Sequence, residues 1–278
     1  MTPDAAPADR PTPAERAAPH HRVHALGLDG KPGSAVALPL AFSTPVRPDL
    51  IQRAVVAAQS HRRQPYGTSL TGGRRHSVEW SGKGRGVART PRLMDSMRGA
   101  QAPNTVGGGQ AHPPRVDRIW TKKINRKERK LAFASALAAT RETKLALGRG
   151  HEIPPTIHLP LVVEDPVEEI RQTQQAQTLL ERLKLWEDVE RARSGTHLKA
   201  SGRARRRGRV RRTPRSLLVV TSGPGKALGF RNLAGVDVVP ARELATEDLA
   251  PGGDAGRLTL FSRAAVESLR ERLGEVAP

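Results

Sequence analysis

Three groups of residues in this chain have types and spacings that catalysis uses. The stretch Thr221-Ser222-Gly223-Pro224-Gly225-Lys226-Ala227 follows a strand-like run and occupies the place of a phosphate-binding loop, which cradles phosphates with backbone N–H groups and a lysine. Val220 stands where that motif needs its first glycine, and Ala227 where magnesium needs a hydroxyl, so the stretch reads as a strand-to-helix turn. Glu164, Asp165, Glu168 and Glu169 are the carboxylates magnesium favours for phosphoryl transfer, the chemistry of a metal-dependent nuclease. The same acids suit a helix start, where negative charge is stabilised by the helix dipole. His20, His21 and His24 have metal-like spacing, yet no further ligand follows them, and they read as solvent-exposed histidines. Gly67 to Gly72 is one residue off a nucleophile elbow and has no strand before it. The residues therefore favour binding over catalysis, with a nuclease using Glu164 and Asp165 as the alternative.

Charge says what is bound. The 278 residues carry 47 Lys and Arg against 27 Asp and Glu, a net +20, with no cysteine and only 3% aromatic residues. The missing cysteines exclude a disulfide scaffold, a zinc ribbon and a thiol nucleophile. No apolar run reaches the roughly 20 residues of a membrane span, and the Pro/Ala-rich start lacks a signal-peptide core, so a soluble, cytoplasmic protein is expected. Few rings argue against bases stacked on aromatic platforms as the main binding mode.

The excess charge sits in two places. Residues 61–126 hold Arg62, Arg63, Arg74, Arg75, Lys83, Arg85, Arg89, Arg92, Arg98, Arg115, Arg118, Lys122, Lys123 and Arg126 against Glu79, Asp95 and Asp117, a balance of +11. Residues 199–215 hold Lys199, Arg203, Arg205, Arg206, Arg207, Arg209, Arg211, Arg212 and Arg215 with no acid, a balance of +9. Together these equal the whole net charge, so the remainder is electrically balanced. A polyanion is the expected partner.

The long segment is rich in glycine and has no sustained apolar period, so it is expected to be irregular in isolation. Run out and back, its two limbs reach on the order of 100 Å when extended. Gly82, Gly84 and Gly86 remove side chains where backbone would pass close to another surface, while arginine forks fit phosphate oxygens. Trp80 to Arg89 thus suits a strand threading between crowded phosphates. RNA is favoured over DNA, because the charges lie on irregular segments and not on a helix sized for a groove.

The rest alternates strands with helices. Strand character at Arg22–Leu28 and Ser34–Leu40 precedes a helix opened by Pro48. Asn125, with Glu128 three residues on, predicts a capped helix through Leu131, Ala134 and Leu137. A strand over His158–Val163 leads to one helix, capped by Asp165 with Pro166 at its first position, running from Val167 to Val189. Leu217–Val220, Val236–Val239 and Leu258–Phe261 read as buried strands, and Ala264 to Leu273 as a closing helix. The class is α/β: a single mostly parallel sheet with helices on both faces, plus the long irregular extended loop and the second Arg-rich segment. The expected organisation is a disordered tail over 1–21 and a globular domain over 22–278, interrupted at 61–126 and 199–215.

Several strings resemble a known family. TGGRRHSVEWSGKGRGVARTPRL from Thr71, NTVGGGQAHPPRVDRIWTKKINRKERKLAFASALAAT from Asn104, Ser216 to Val220, Asn232 to Val239 and Asp248 to Gly253 are similar to the universal large-subunit ribosomal protein L-four family, in its archaeal and eukaryotic branch. The resemblance implies a structural protein of the large ribosomal subunit. Its globular domain would lie on the subunit surface, and its long loop would enter rRNA to line the nascent-peptide exit tunnel. The family's loop-tip string matches Gly82-Lys83-Gly84-Arg85-Gly86, making Lys83 and Arg85 the tunnel-facing candidates. Implied partners are large-subunit rRNA, neighbouring large-subunit proteins including another tunnel-lining protein, and the passing nascent peptide, with no membrane. No cofactor is implied beyond magnesium that accompanies rRNA.

Overall fold

Leu218, Val220, Val162 and Phe261 alternate in sequence with Leu217, Val219, Leu161 and Leu260, and the two sets enter different cores. A strand with period-two side chains that are apolar on both sides must be covered on both faces. The computed structural model describes residues 22–155, 157–199 and 201–274, and the chain divides into two units. His20, His21 and the tail over 1–21 lie outside the described residues.

The first unit comprises the described residues up to Ala58 and from Lys123 onward. It is built on β1 (Arg22–Leu26), β2 (Pro32–Ala37), α1 (Pro48–His61), and, after the second unit's β3 (Val78–Trp80) and β4 (Pro91–Leu93), on α2 (Arg126–Ala139) and α3 (Thr143–Gly148). It continues through β5 (Leu161–Val163), α4 (Thr173–Arg182), α5 (Trp186–Ser194), β6 (His197–Leu198), α6 (Arg203–Arg206) and β7 (Arg211–Arg212). Then come β8 (Leu218–Thr221), β9 (Asp237–Pro240), α7 (Thr246–Leu249), β10 (Thr259–Ser262) and α8 (Arg263–Leu273). The six-stranded sheet has the order β2-β1-β5-β10-β8-β9; only β1 and β2 pair antiparallel.

One face carries α1, α2 and α8, through Ile51, Val55, Phe133, Leu137, Val266 and Leu269. There Phe42 meets Phe261 edge to face at 5.6 Å. The opposite face carries α4 and α5, through Ala176, Leu179, Leu180 and Val189. Arg257 is 1% exposed among these apolar groups, yet it donates to Ser216 O at 2.9 Å and Asp237 Oδ2 at 2.6 Å. Burial pushes its guanidinium down from the ordinary value, and Asp237 opposes that fall.

Two helix expectations need correction. The single helix from Asp165 to Val189 is three pieces: a 3-10 turn over Asp165–Glu169, then α4, then α5. Its cap is also elsewhere, since Asp165 Oδ1 accepts from Ala264 N at 2.8 Å and so serves the start of α8. Asn125 stands at the N-cap of α2 but makes no side-chain cap bond, and the reciprocal half of the capping box is absent as well, since Glu128 pairs with Arg53 at 3.2 Å. Unforeseen in sequence, Ser262 caps α8 by accepting from Ala265 N.

The second unit, 59–122, is mostly turns and extended chain around the antiparallel β3–β4 pair. Tyr66, Leu70, Val106 and Ile119 are each more than two-thirds exposed. Its internal reversals are made where chains touch: a Cβ on Gly67 would lie 2.6 Å from Val116 N, and one on Gly108 would collide with the Ala102 carbonyl. The Arg-rich segment is not featureless. β6 and β7 pair through His197–Arg212 and Leu198–Arg211, and α6 forms a turn between them.

Candidate nucleic-acid interface

The charges that sequence composition singles out differ sharply in partnership. Within the first unit, Arg47, Arg53, Arg182, Arg191, Arg215, Lys226, Arg257 and Arg263 each pair with a carboxylate. By contrast, Arg63, Arg74, Arg75, Lys83, Arg85, Arg89, Arg92, Arg98, Arg115, Arg118, Lys122 and Lys123 pair with none among the described residues. The same holds for Arg203, Arg206, Arg207, Arg209, Arg211 and Arg212. Arg62 and Arg205 have contacts of their own, Arg205 donating to Lys199 O at 3.1 Å. Almost all of these cations are exposed. Unpaired charges in water keep their hydration and their reach, and are available to replace counterions along a polyanion.

Three of the candidate arginines are already occupied in ways composition could not reveal. Arg92 donates through one terminal nitrogen to Met97 O at 2.8 Å and through the other to Ala88 O at 3.4 Å, bracing the chain around the β3–β4 pair. Arg63 and Arg118 each lie over the Trp120 ring, with guanidinium carbons 4.4 Å from its centroid. Trp120 gives no signal in composition, where scarce aromatics speak against ring platforms but say nothing of a single ring between cations.

Gly82, Gly84 and Gly86 take φ of 68°, 78° and 66°, and nothing lies within 4 Å of a Cβ placed on any of them. The left-handed backbone requires glycine there. The strand expected over Trp80–Arg89 ends at Trp80 and gives way to successive bends. Lys83 and Arg85 project from that bent tip, both exposed.

In the first unit the carboxylates of the nuclease alternative have structural occupations. Glu168 is buried and accepts from Ser222 N at 2.6 Å, Ser222 Oγ at 2.9 Å, Lys226 Nζ at 2.6 Å and Ser262 Oγ at 2.6 Å. Burial by itself would raise its pKa, but the bonds from Lys226, Ser262 and Ser222 outweigh burial and hold the carboxyl below the ordinary glutamate value. The loop resembling a phosphate cradle is thus tied to Glu168 through Ser222 N–H and Lys226, and Asp165 is tied to α8. These groups line an open cleft of about 840 Å³ beyond the carboxyl ends of β5, β8 and β10. Glu169 shares the cleft wall, whereas the Glu164 carboxylate lies against Gly33. The arrangement joins three strand ends. Among the described residues no three His, Asp or Glu side chains gather to hold a metal. His24 Nδ1 sits 3.3 Å from Gly33 O.

Relatives carry the same chain almost end to end. The large ribosomal subunit protein uL4 of Methanopyrus kandleri is 46% identical over 256 residues, covering 90% of this chain and 98% of its own. The protein of that name from Halobacterium salinarum is 45% identical over 252 residues, covering 90% and 100%, and that from Pyrobaculum aerophilum 44% over 271 residues, covering 96% and 94%. A family model described as the ribosomal protein L4/L1 family matches residues 36–272, which include four strands of the sheet, β5, β8, β9 and β10, and both cationic segments. This chain, an electrically balanced α/β body with its excess of cations on two excursions, belongs to the ribosomal protein L4/L1 family.

Proposed function

We propose that this protein is a structural constituent of the large ribosomal subunit, binding rRNA through residues 59–122 and the Arg-rich segment, and that it performs no catalysis of its own. The observation that carries the proposal is the placing of its charge: the excess of cations lies on the two excursions, where most of them are exposed and, Arg62, Arg205 and Arg215 aside, form no ion pair among the described residues, whereas seven cations of the α/β body are paired with carboxylates. Arginine's planar fork suits paired phosphate oxygens, so Arg62, Arg63, Arg74, Arg75, Arg85, Arg89, Arg98, Arg115 and Arg118 serve the long loop. Lys83, Lys122 and Lys123 add point charges, and Arg203, Arg205, Arg206, Arg207, Arg209, Arg211 and Arg212 form the second contact. Arg92 acts chiefly as the brace of the loop.

At the far end, the left-handed turns of Gly82, Gly84 and Gly86 present Lys83 and Arg85 without bulk around them, which suits a tip lining the nascent-peptide exit tunnel. The exposed Tyr66, Leu70, Val106 and Ile119 would then be covered by rRNA or by neighbouring large-subunit proteins, another tunnel-lining protein among them. The cytoplasmic ribosome is the place of action, and magnesium enters only as rRNA's own counterion.

The test is sedimentation of cell extracts. The chain is expected to travel with the large subunit at moderate salt and to be released as salt rises, since phosphate contacts weaken with counterion concentration. Recovery of the protein free in the soluble fraction at low salt would refute the proposal.

A further inference from the structure

The neck of the long loop holds a cluster made only of hydrogen-bond donors. Lys122 N donates to Ser60 Oγ at 2.9 Å, joining the outgoing chain to the returning one. That clasp sets Arg63, three residues beyond Ser60, and Trp120, two before Lys122, side by side, and Arg118 comes to the same ring. Arginine has five N–H donors and no acceptor, and the indole has one N–H and no acceptor. The Trp120 N–H is sealed from solvent with no partner, and neither guanidinium pairs with a carboxylate among the described residues. Buried indole N–H groups ordinarily find an acceptor. Two like charges held at one ring also repel, and phosphate anions at their free edges would offset that repulsion.

We infer that Arg63, Arg118 and Trp120 form a phosphate-binding cluster for the RNA backbone at the loop's neck, in which Trp120 is the positioning residue that holds both guanidinium planes ready. Stacking occupies the flat faces of the arginines and leaves their edges for phosphate oxygens, and it removes rotamer freedom before binding. Lys122, two residues beyond Trp120 in the chain, adds a further positive charge. This inference rests on the rRNA-binding reading above and adds a specific site to it.

The experiment is a salt titration of full-length protein binding to large-subunit rRNA transcripts, with cooperative thermal unfolding recorded for every variant. The double variant Arg63→Gln, Arg118→Gln is expected to flatten the slope of log affinity against log salt by about 1.5, since each neutralised phosphate accounts for about 0.7–0.9 of that slope. Trp120→Ala removes no charge, yet is expected to flatten the slope by at least half as much and to weaken binding about tenfold, because the arginines lose their held geometry. Trp120→Phe keeps a ring for stacking and is expected to retain most of the slope. A Trp120→Ala variant with unchanged slope would overturn the inference whether or not its affinity falls, since a merely structural tryptophan leaves every phosphate still neutralised. Should the wild type bind steeply while the double variant matches it, the cluster is refuted and the broader reading stands; if the wild type shows no salt-dependent binding, the broader reading falls first.

Discussion

Replacement of Arg203, Arg205, Arg206, Arg207, Arg209, Arg211 and Arg212 by glutamine is expected to lower rRNA affinity by on the order of a thousandfold at 50 mM salt, and to flatten the salt slope by about 5. The body should not notice. Six of the seven form no ion pair among the described residues, and the segment is almost wholly exposed, so glutamine removes charge without opening a core. What anchors this segment is retained: the Arg215–Asp237 pair at 2.6 Å, the Arg191 bond to Arg215 O at 3.1 Å and the Thr196–Thr213 hydroxyl contact at 3.2 Å. Filter binding or fluorescence anisotropy across about 50–300 mM salt, the range over which phosphate contacts lose most of their strength, reads the slope. An unchanged slope would mean that these arginines face water in the complex.

Glu168→Ala is expected to be the most damaging single change to the fold. It strands the Ser222 N–H, two hydroxyls and the Lys226 ammonium at the ends of β8 and β10. Removing one partner from a buried, hydrogen-bonded pair costs about 3–5 kcal/mol. At about 2–4 °C per kcal/mol for a domain of this size, the midpoint should fall by about 6–20 °C. Lys226→Ala removes only a half-exposed charge and should cost about 1 kcal/mol, which makes it the control for loop disruption. The acid dependence has a definite sign. Because the folded carboxyl titrates below its ordinary value, its contribution is complete above the usual glutamate range near about pH 4.3 and is lost as pH falls through that range toward the lowered folded value. Glu168→Ala should therefore narrow the stability gap to wild type under acid. Equal gaps at about pH 7 and about pH 3, on either side of that range, would show that the carboxylate charge is immaterial.

The α/β class and the places of β5, β8 and β10 are legible because strands buried on both faces write continuous apolar runs, as Leu217–Val220 and Leu258–Phe261 do, whereas the largely exposed β1 and β2 are marked by the turn between them. Periodicity fails between Asp165 and Val189, where apolar spacing favours one helix. Tertiary bonds break it: Glu168 is engaged by three other segments, its carbonyl accepting from Ala227 N at 2.7 Å. Further on, Lys184 takes a left-handed φ of 55°. That kink lets Leu183 and Leu185 both enter the core, which two positions about 200° apart on a continuous helix cannot do.

The concentration of cations on two segments is legible in the sequence, since charge without nearby acids shows in composition alone. Its internal organisation is not. Arg92 serves as a brace because the chain bends back on it, and the Arg63–Trp120–Arg118 cluster unites residues far apart in sequence through a reversal that no local pattern announces. At Gly82, Gly84 and Gly86 the glycine pattern points to close passage; the backbone shows the left-handed turn that also demands it.

Hydrogen–deuterium exchange of the full chain, alone and with large-subunit rRNA, tests most directly whether the two excursions are the RNA-binding surface. Amides of residues 59–122 and 199–215 should exchange quickly in the free protein and gain protection with RNA, while those of β5, β8 and β10 remain slow in both. Protection arising in the sheet's own segments, with both excursions unaltered by RNA, would contradict it.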